Sequence, residues 1–136
     1  GESELIKMVR VKQRYILAEL IFEDSLEGAT LQSSSLSSKE LQDALKTMVL
    51  ELYGDLGFAK IGTNFLVKFW NPATRVFILR VGRDNEPMVS NSLILNNSLL
   101  GQPCRIRIVH VSGTLQKIEG NLVDKSHSAQ LIYQNK

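Results

Sequence analysis

The sequence predicts an α+β sandwich: a four-stranded antiparallel sheet with helices on one face. Three observations predict it. A compact run of branched and apolar residues covers Tyr15–Phe22, a capped amphipathic pattern follows from Ser37, and strand-like segments fill Thr63–Trp70, Arg75–Arg83 and Cys104–Val111. With 136 residues, 43% of them hydrophobic and 22% charged, the chain fits one domain whose core needs no disulfide or metal. Residues 1–7 read as a leader or cloning remnant, because Met8 has the look of a natural start, and residues 8–136 as the single domain.

Each element has its own reason. Tyr15–Phe22 is the first strand, and the serine cluster Ser33–Ser38 after it reads as a loop. Ser37 and Glu40 have capping-box spacing, and Leu41, Ala44, Leu45, Met48, Val49 and Leu52 recur on one helical face. Gly54 and Gly57 are expected to stop that helix. Thr63–Trp70 alternates, which puts Phe65, Val67 and Phe69 on one side and Leu66, Lys68 and Trp70 on the other. Asn71-Pro72-Ala73-Thr74 is a turn with Pro at its first corner, so Arg75–Arg83 completes a hairpin. Pro87–Leu100 is expected to be a second helix, weakened by Asn91, Asn96 and Asn97. In Cys104–Val111, Ile106 and Ile108 alternate with Arg105 and Arg107. Gly113 ends that strand, and Thr114 caps a third helix carrying Leu115, Ile118 and Leu122. Ala129–Gln134 is either an added edge strand or the end of that helix.

The order strand, helix, strand, strand, helix, strand is the split βαβ pattern of ferredoxin-like (RRM-like) domains. RRM-type readers stack bases on aromatic residues of the third strand, but Arg75–Arg83 offers Phe77 alone. A sheet face carrying Val76, Ile78, Ile106 and Ile108 would instead want a protein cover, by docking or dimerisation.

Charge and chemistry narrow the function classes. The net charge of +2 is too small to argue nucleic-acid binding, but its distribution is uneven. Met8–Glu19 alternates cations with short residues before entering the first strand, an arrangement suited to a phosphate backbone. Lys60–Arg83 and Pro87–Ile118 contain cations and no acid between those limits. The lone cysteine, Cys104, forms no internal disulfide and reads as a buried strand residue. His110 and His127 lack partners at metal-ligand spacing, with His110 read as core-facing or helix-contacting. No phosphate loop or acid–base pair is visible. No apolar run approaches a bilayer span, and residues 1–7 have no secretory core, so no membrane partner is expected. Two readings follow, a ribonucleoprotein component and a protein-interaction scaffold without direct RNA contact.

Three blocks then carry a resemblance: Met8–Glu19 (Met-Val-Arg-Val-Lys-Gln-Arg-Tyr-Ile-Leu-Ala-Glu), Phe69–Arg83 with its polar turn and aliphatic-Arg strand, and Val109–Ile118 with Val-Ser-Gly-Thr entering a helix. In order and spacing they resemble the Pop-five family of small protein subunits of ribonuclease P and ribonuclease MRP, across nearly all of residues 8–134. The resemblance implies a ferredoxin-like fold and an accessory, non-catalytic role, in which the RNA with bound magnesium removes the 5′ leader of precursor tRNA. It also implies partners: the catalytic RNA, a TIM-barrel-like subunit, a second copy or related small subunit, and precursor tRNA indirectly. No cofactor is expected on this chain. The location it implies is nuclear or nucleolar for a eukaryotic source and cytoplasmic for an archaeal one, and the modest charge favours the former. Carried over by position, Arg10, Lys12 and Arg14 are RNA-contact candidates, followed by Lys68, Arg75, Arg80 and Arg83. For Arg80 an ion pair beneath a helix is an equal alternative. Ser112, Gly113 and Thr114 read as a turn and cap whose free amides could meet a phosphate.

Overall fold

The computed structural model describes residues 12–23, 36–116 and 118. Its elements are β1 (Gln13–Phe22), α1 (Ser38–Ile61), β2 (Phe65–Asn71), β3 (Val76–Gly82), α2 (Glu86–Leu95), β4 (Ser98–Leu99) and β5 (Gln102–Ser112), with a 3-10 turn at Arg83–Asn85. The strands pair antiparallel in the order β2-β3-β1-β5-β4. β1 occupies the middle because it is apolar on both sides. Ile16, Ala18, Leu20 and Phe22 face a core closed by Leu41, Leu45 and Val49 of α1 and by Val89 and Leu93 of α2. Leu17 faces the other way.

The capping box forms as its spacing predicts. The Glu40 amide donates to Ser37 Oγ at 3.1 Å, and the Ser37 amide donates to Glu40 Oε1 at 2.9 Å. Ser37→Ala should lower stability by about 1 kcal/mol, read as a shifted midpoint in urea. The helix does not stop where expected. Gly54 adopts φ 71°, a conformation that glycine reaches at no steric cost, and joins two helical pieces at a kink. Helix resumes through Gly57 to Ile61, with Gly62 as its cap. Ile61 beyond the kink is still buried in the core, whereas Leu52, expected to pack, is 46% exposed.

Two further expectations fail for local reasons. Among the described residues the sheet has five strands, not four, because the second helix ends at Leu95 and Asn96 turns extended. Ser98–Leu99 then pairs with Gln102 and Pro103 of β5. The Leu100-Gly101 turn between them has φ 50° and 81°, the double positive φ of a tight hairpin. Leu95, Leu99 and Leu100 had mimicked helical spacing. Secondly, two bulges shift the strand alternation. In β2, Lys68 is the extra residue, since Val67 pairs with Leu79 and Phe69 with Ile78. Trp70 therefore joins Phe65 and Val67 on the helix side, while Phe69 moves to the opposite face. In β5, Val109 is the extra residue, so His110 stands opposite Leu17 and off the face of Ile106 and Ile108.

The apolar face drawn from alternation is also divided by cross-strand register, since Val76 and Ile78 stand opposite Glu19 and Leu17 whereas Ile106 and Ile108 stand opposite Leu20 and Ala18. Ile106 and Ile108 belong to the helix-covered core, and Val76 and Ile78 to the opposite face. That opposite face is not open at its centre either. Ile118 (0% exposed) and Leu115 pack on Leu17, Ile78, Tyr15, Phe69, Val76 and Val109. The chain supplies its own cover, through the start of the third helix, where Leu115, Gln116 and Ile118 are helical. The rest of that helix and Ala129–Gln134 lie outside the described residues.

Candidate RNA interface

β1 begins where β3 and β5 end, so one edge of the sandwich gathers residues from distant parts of the sequence. Gln13 stands opposite Gly82, Arg14 opposite Val81 and Tyr15 opposite Arg80. The Arg83 amide donates to the Lys12 carbonyl at 2.7 Å, holding these two cations side by side. Arg14 Nη1 donates to the Gln13 carbonyl at 3.0 Å. A Cβ at Gly113 would lie 3.3 Å from Arg14 Nη1, so glycine there leaves room for the guanidinium. Lys12 and Arg83 are exposed, and Arg14 and Arg80 half-buried.

Arg80 is the least settled of the four. Its Nε is buried without a hydrogen-bond partner, and such a group is costly unless something completes it. By register it lies on the face away from α1, between Tyr15 and Leu66, and it forms no ion pair among the described residues. Arg83 lies 3.7 Å from Asp84, a surface pair of the kind that leaves a cation free for other partners.

The other candidates separate from this group. Arg75 is at the opposite end of β3, in a left-handed conformation (φ 61°). Its guanidinium sits 5.1 Å from the centre of the Phe22 ring, its amide donates to the Asn71 carbonyl at 2.7 Å, and its carbonyl accepts from the Leu20 amide at 2.8 Å. This is a structural assignment. Lys68 is exposed on the edge strand, and Arg10 lies outside the described residues. The third motif forms the expected turn: Ser112 Oγ accepts from the Thr114 amide at 3.2 Å, which occupies one of the amides proposed for phosphate, and helix begins at Leu115.

Sequence reasoning gave no role to two cations on the second face of β5. Arg107 pairs with Glu19 at 2.5 Å, whereas Arg105 is exposed beside its cross-strand partner Ile21. The Arg-Ile-Arg-Ile alternation was the signal that could have found them. Base stacking on the sheet has little to use, because Phe77 is buried under the helices and Tyr15 and Phe69 pack in the second cluster.

Among the described residues, no three His, Cys, Asp or Glu side chains come together to hold a metal. No described helix is long and apolar enough to cross a membrane. Cys104 is 1% exposed, and burial pushes its thiol up from 9.0 to about 11, which removes it as a nucleophile near neutrality. The fold favours the neutral thiol, so this contribution is whole below pH 9 and is lost as pH rises through about 11. Cys104→Ala should flatten the alkaline limb of the stability curve, measured by denaturant midpoints across that window.

The chain was compared with known proteins. A model of the Rpp14/Pop5 family matches residues 14–123. The chain is 37% identical over 125 residues to the ribonuclease P/MRP protein subunit POP5 of Schizosaccharomyces pombe, covering 89% of this chain and 90% of that protein. It is 32% identical over 109 residues to ribonuclease P protein component 2 of Methanocaldococcus jannaschii, with 80% and 71% covered. A chain in the cryo-EM structure of yeast ribonuclease MRP shares the fold, with a TM-score of 0.53 at 12% identity and 88% and 95% covered. The matched span runs from Arg14 at the start of β1, through the whole sheet, to the segment that closes its second face, and by that match the chain belongs to the Rpp14/Pop5 family.

Proposed function

We propose that the chain is a non-catalytic protein subunit of the ribonuclease P and ribonuclease MRP ribonucleoproteins, stabilising the RNA that removes the 5′ leader of precursor tRNA. Relatives from fission yeast and an archaeon bear the names of such subunits. The observation that carries direct RNA contact is the gathering of Lys12, Arg14, Arg80 and Arg83 at one end of the sheet, with a buried Arg80 Nε that lacks a partner. Phosphates would complete that group, and Arg10 precedes it in the arm. The mechanism is electrostatic: the cations bridge backbone segments of the RNA and displace its counterions. Magnesium belongs to the RNA, and this chain needs no cofactor.

The ferredoxin-like description is supported by the element order and by the sequence β2-β3-β1-β5 of the long strands. A TIM-barrel-like subunit and a second copy or related small subunit complete the assembly we infer, in the nucleus or nucleolus for a eukaryotic source.

Affinity purification of the tagged chain from its source cells, followed by RNA sequencing, mass spectrometry and a precursor-tRNA cleavage assay, tests this. A ribonuclease P-type RNA and cleavage in the eluate is the expected result. Protein partners without such RNA would overturn it in favour of a scaffold.

A further inference from the structure

α1 and the α2–β4 connection enclose two adjoining cavities of about 210 Å³ each. Both are lined by Met48, Glu51, Asn96 and Ser98, which makes them one trough. It follows α1 from Ala44 to Leu52, roughly 12 Å at a helical rise of about 1.5 Å per residue. Its flanks hold leucines in water: Leu52 is 46%, Leu95 68% and Leu100 61% exposed. Leu100 in addition keeps a positive φ of 50°, which disfavours a leucine where Asn or Gly ordinarily sits. Glu51 is the one charged residue in the lining.

We propose that this trough binds a short segment of a protein partner, apolar in its centre and carrying a Lys or Arg. The chemistry of each wall selects that occupant. The leucines and Met48 take apolar side chains. Glu51 takes the cation and opposes phosphate, so RNA is a poor fit. In extended form about four residues at roughly 3.3 Å each fill the length. This surface is separate from the cationic end of the sheet and does not rest on the RNA reading.

Fluorescence anisotropy of the full chain with fluorescein-labelled Arg-Leu-Ile-Leu-Arg and Glu-Leu-Ile-Leu-Glu peptides tests it. The basic peptide should bind about tenfold tighter, Leu95→Asp should weaken it about tenfold, and Glu51→Lys should reverse the order of the two peptides. Leu95 and Glu51 are exposed, so both variants should keep the wild-type circular dichroism and thermal midpoint. Equal binding of the two peptides, or affinity indifferent to Leu95→Asp, would overturn the proposal. So would self-association of the chain that Leu95→Asp abolishes, since the occupant would then be a second copy. Affinity for ribonuclease P RNA should be retained in Leu95→Asp. Its loss in Leu95→Asp would put RNA in the trough and also overturn the assignment, whereas its absence from every form would count against the RNA reading alone.

Discussion

Replacing Lys12, Arg14 and Arg83 by Ala and Arg80 by Gln should collapse the salt dependence of binding to ribonuclease P RNA. Each phosphate contact contributes about 0.7–0.9 to the slope of log affinity against log salt, so losing four should flatten it by roughly three. The wild-type chain should lose roughly a hundredfold in affinity from those contacts between 50 and 200 mM salt, a loss the variant should not show. Filter binding across a salt series reads the slope directly. Arg75→Ala is the internal contrast: its cation packs on Phe22 at the other end of β3, so it should cost about 0.5–1 kcal/mol of stability and leave the slope alone. A slope unchanged in the quadruple variant would place the RNA elsewhere on the molecule.

Ile118→Ala should be among the most destabilising single changes. Ile118 is 0% exposed and packs with Leu17 and Ile78 on the sheet face that no described helix but its own covers. Truncating a fully buried isoleucine costs about 2–5 kcal/mol, and the upper half of that range requires that the segment cannot collapse onto the gap. Urea denaturation should show the midpoint fall, and an apolar dye should report Leu17 and Ile78 newly accessible. A cost under about 0.5 kcal/mol, of the size expected for a surface position, would mean that the segment does not seal this face.

Patterns that depend on a few neighbouring residues were legible in the sequence. Ser37 and Glu40 announced the helix start, and the apolar runs marked the long strands. Features set by backbone irregularity were not. Gly54 reads as a stop because a positive-φ glycine ordinarily ends a helix, yet here the chain resumes helix beyond it. Lys68 and Val109 each add one residue to a strand, and nothing in their chemistry signals it, so every residue after them appeared on the wrong face. The site was legible as a list of cations and not as a place. Whether Arg75 and Arg80 belong together depends on which end of β3 each occupies and on which strands lie beside it. Pairing of β1 with β3 decides that, and single-strand patterns do not encode it.

The central position of β1 also fixes when the domain can exist. The Glu19–Arg107 pair spans 88 residues of sequence, and β1 has no complete set of neighbours until β5 is made. At about 5–20 residues per second, the ribosome delivers β5 roughly 5–20 s after β1. Through that interval an apolar strand preceded by basic sequence lacks its β5 neighbour, and it lacks β3 as well until Val76–Gly82 is made. Folding is therefore a late event in synthesis, governed by long-range closure. The nascent strand is a client for whatever shields apolar chain at the ribosome, and the domain closes only after β5 and the Ile118 segment behind it have arrived.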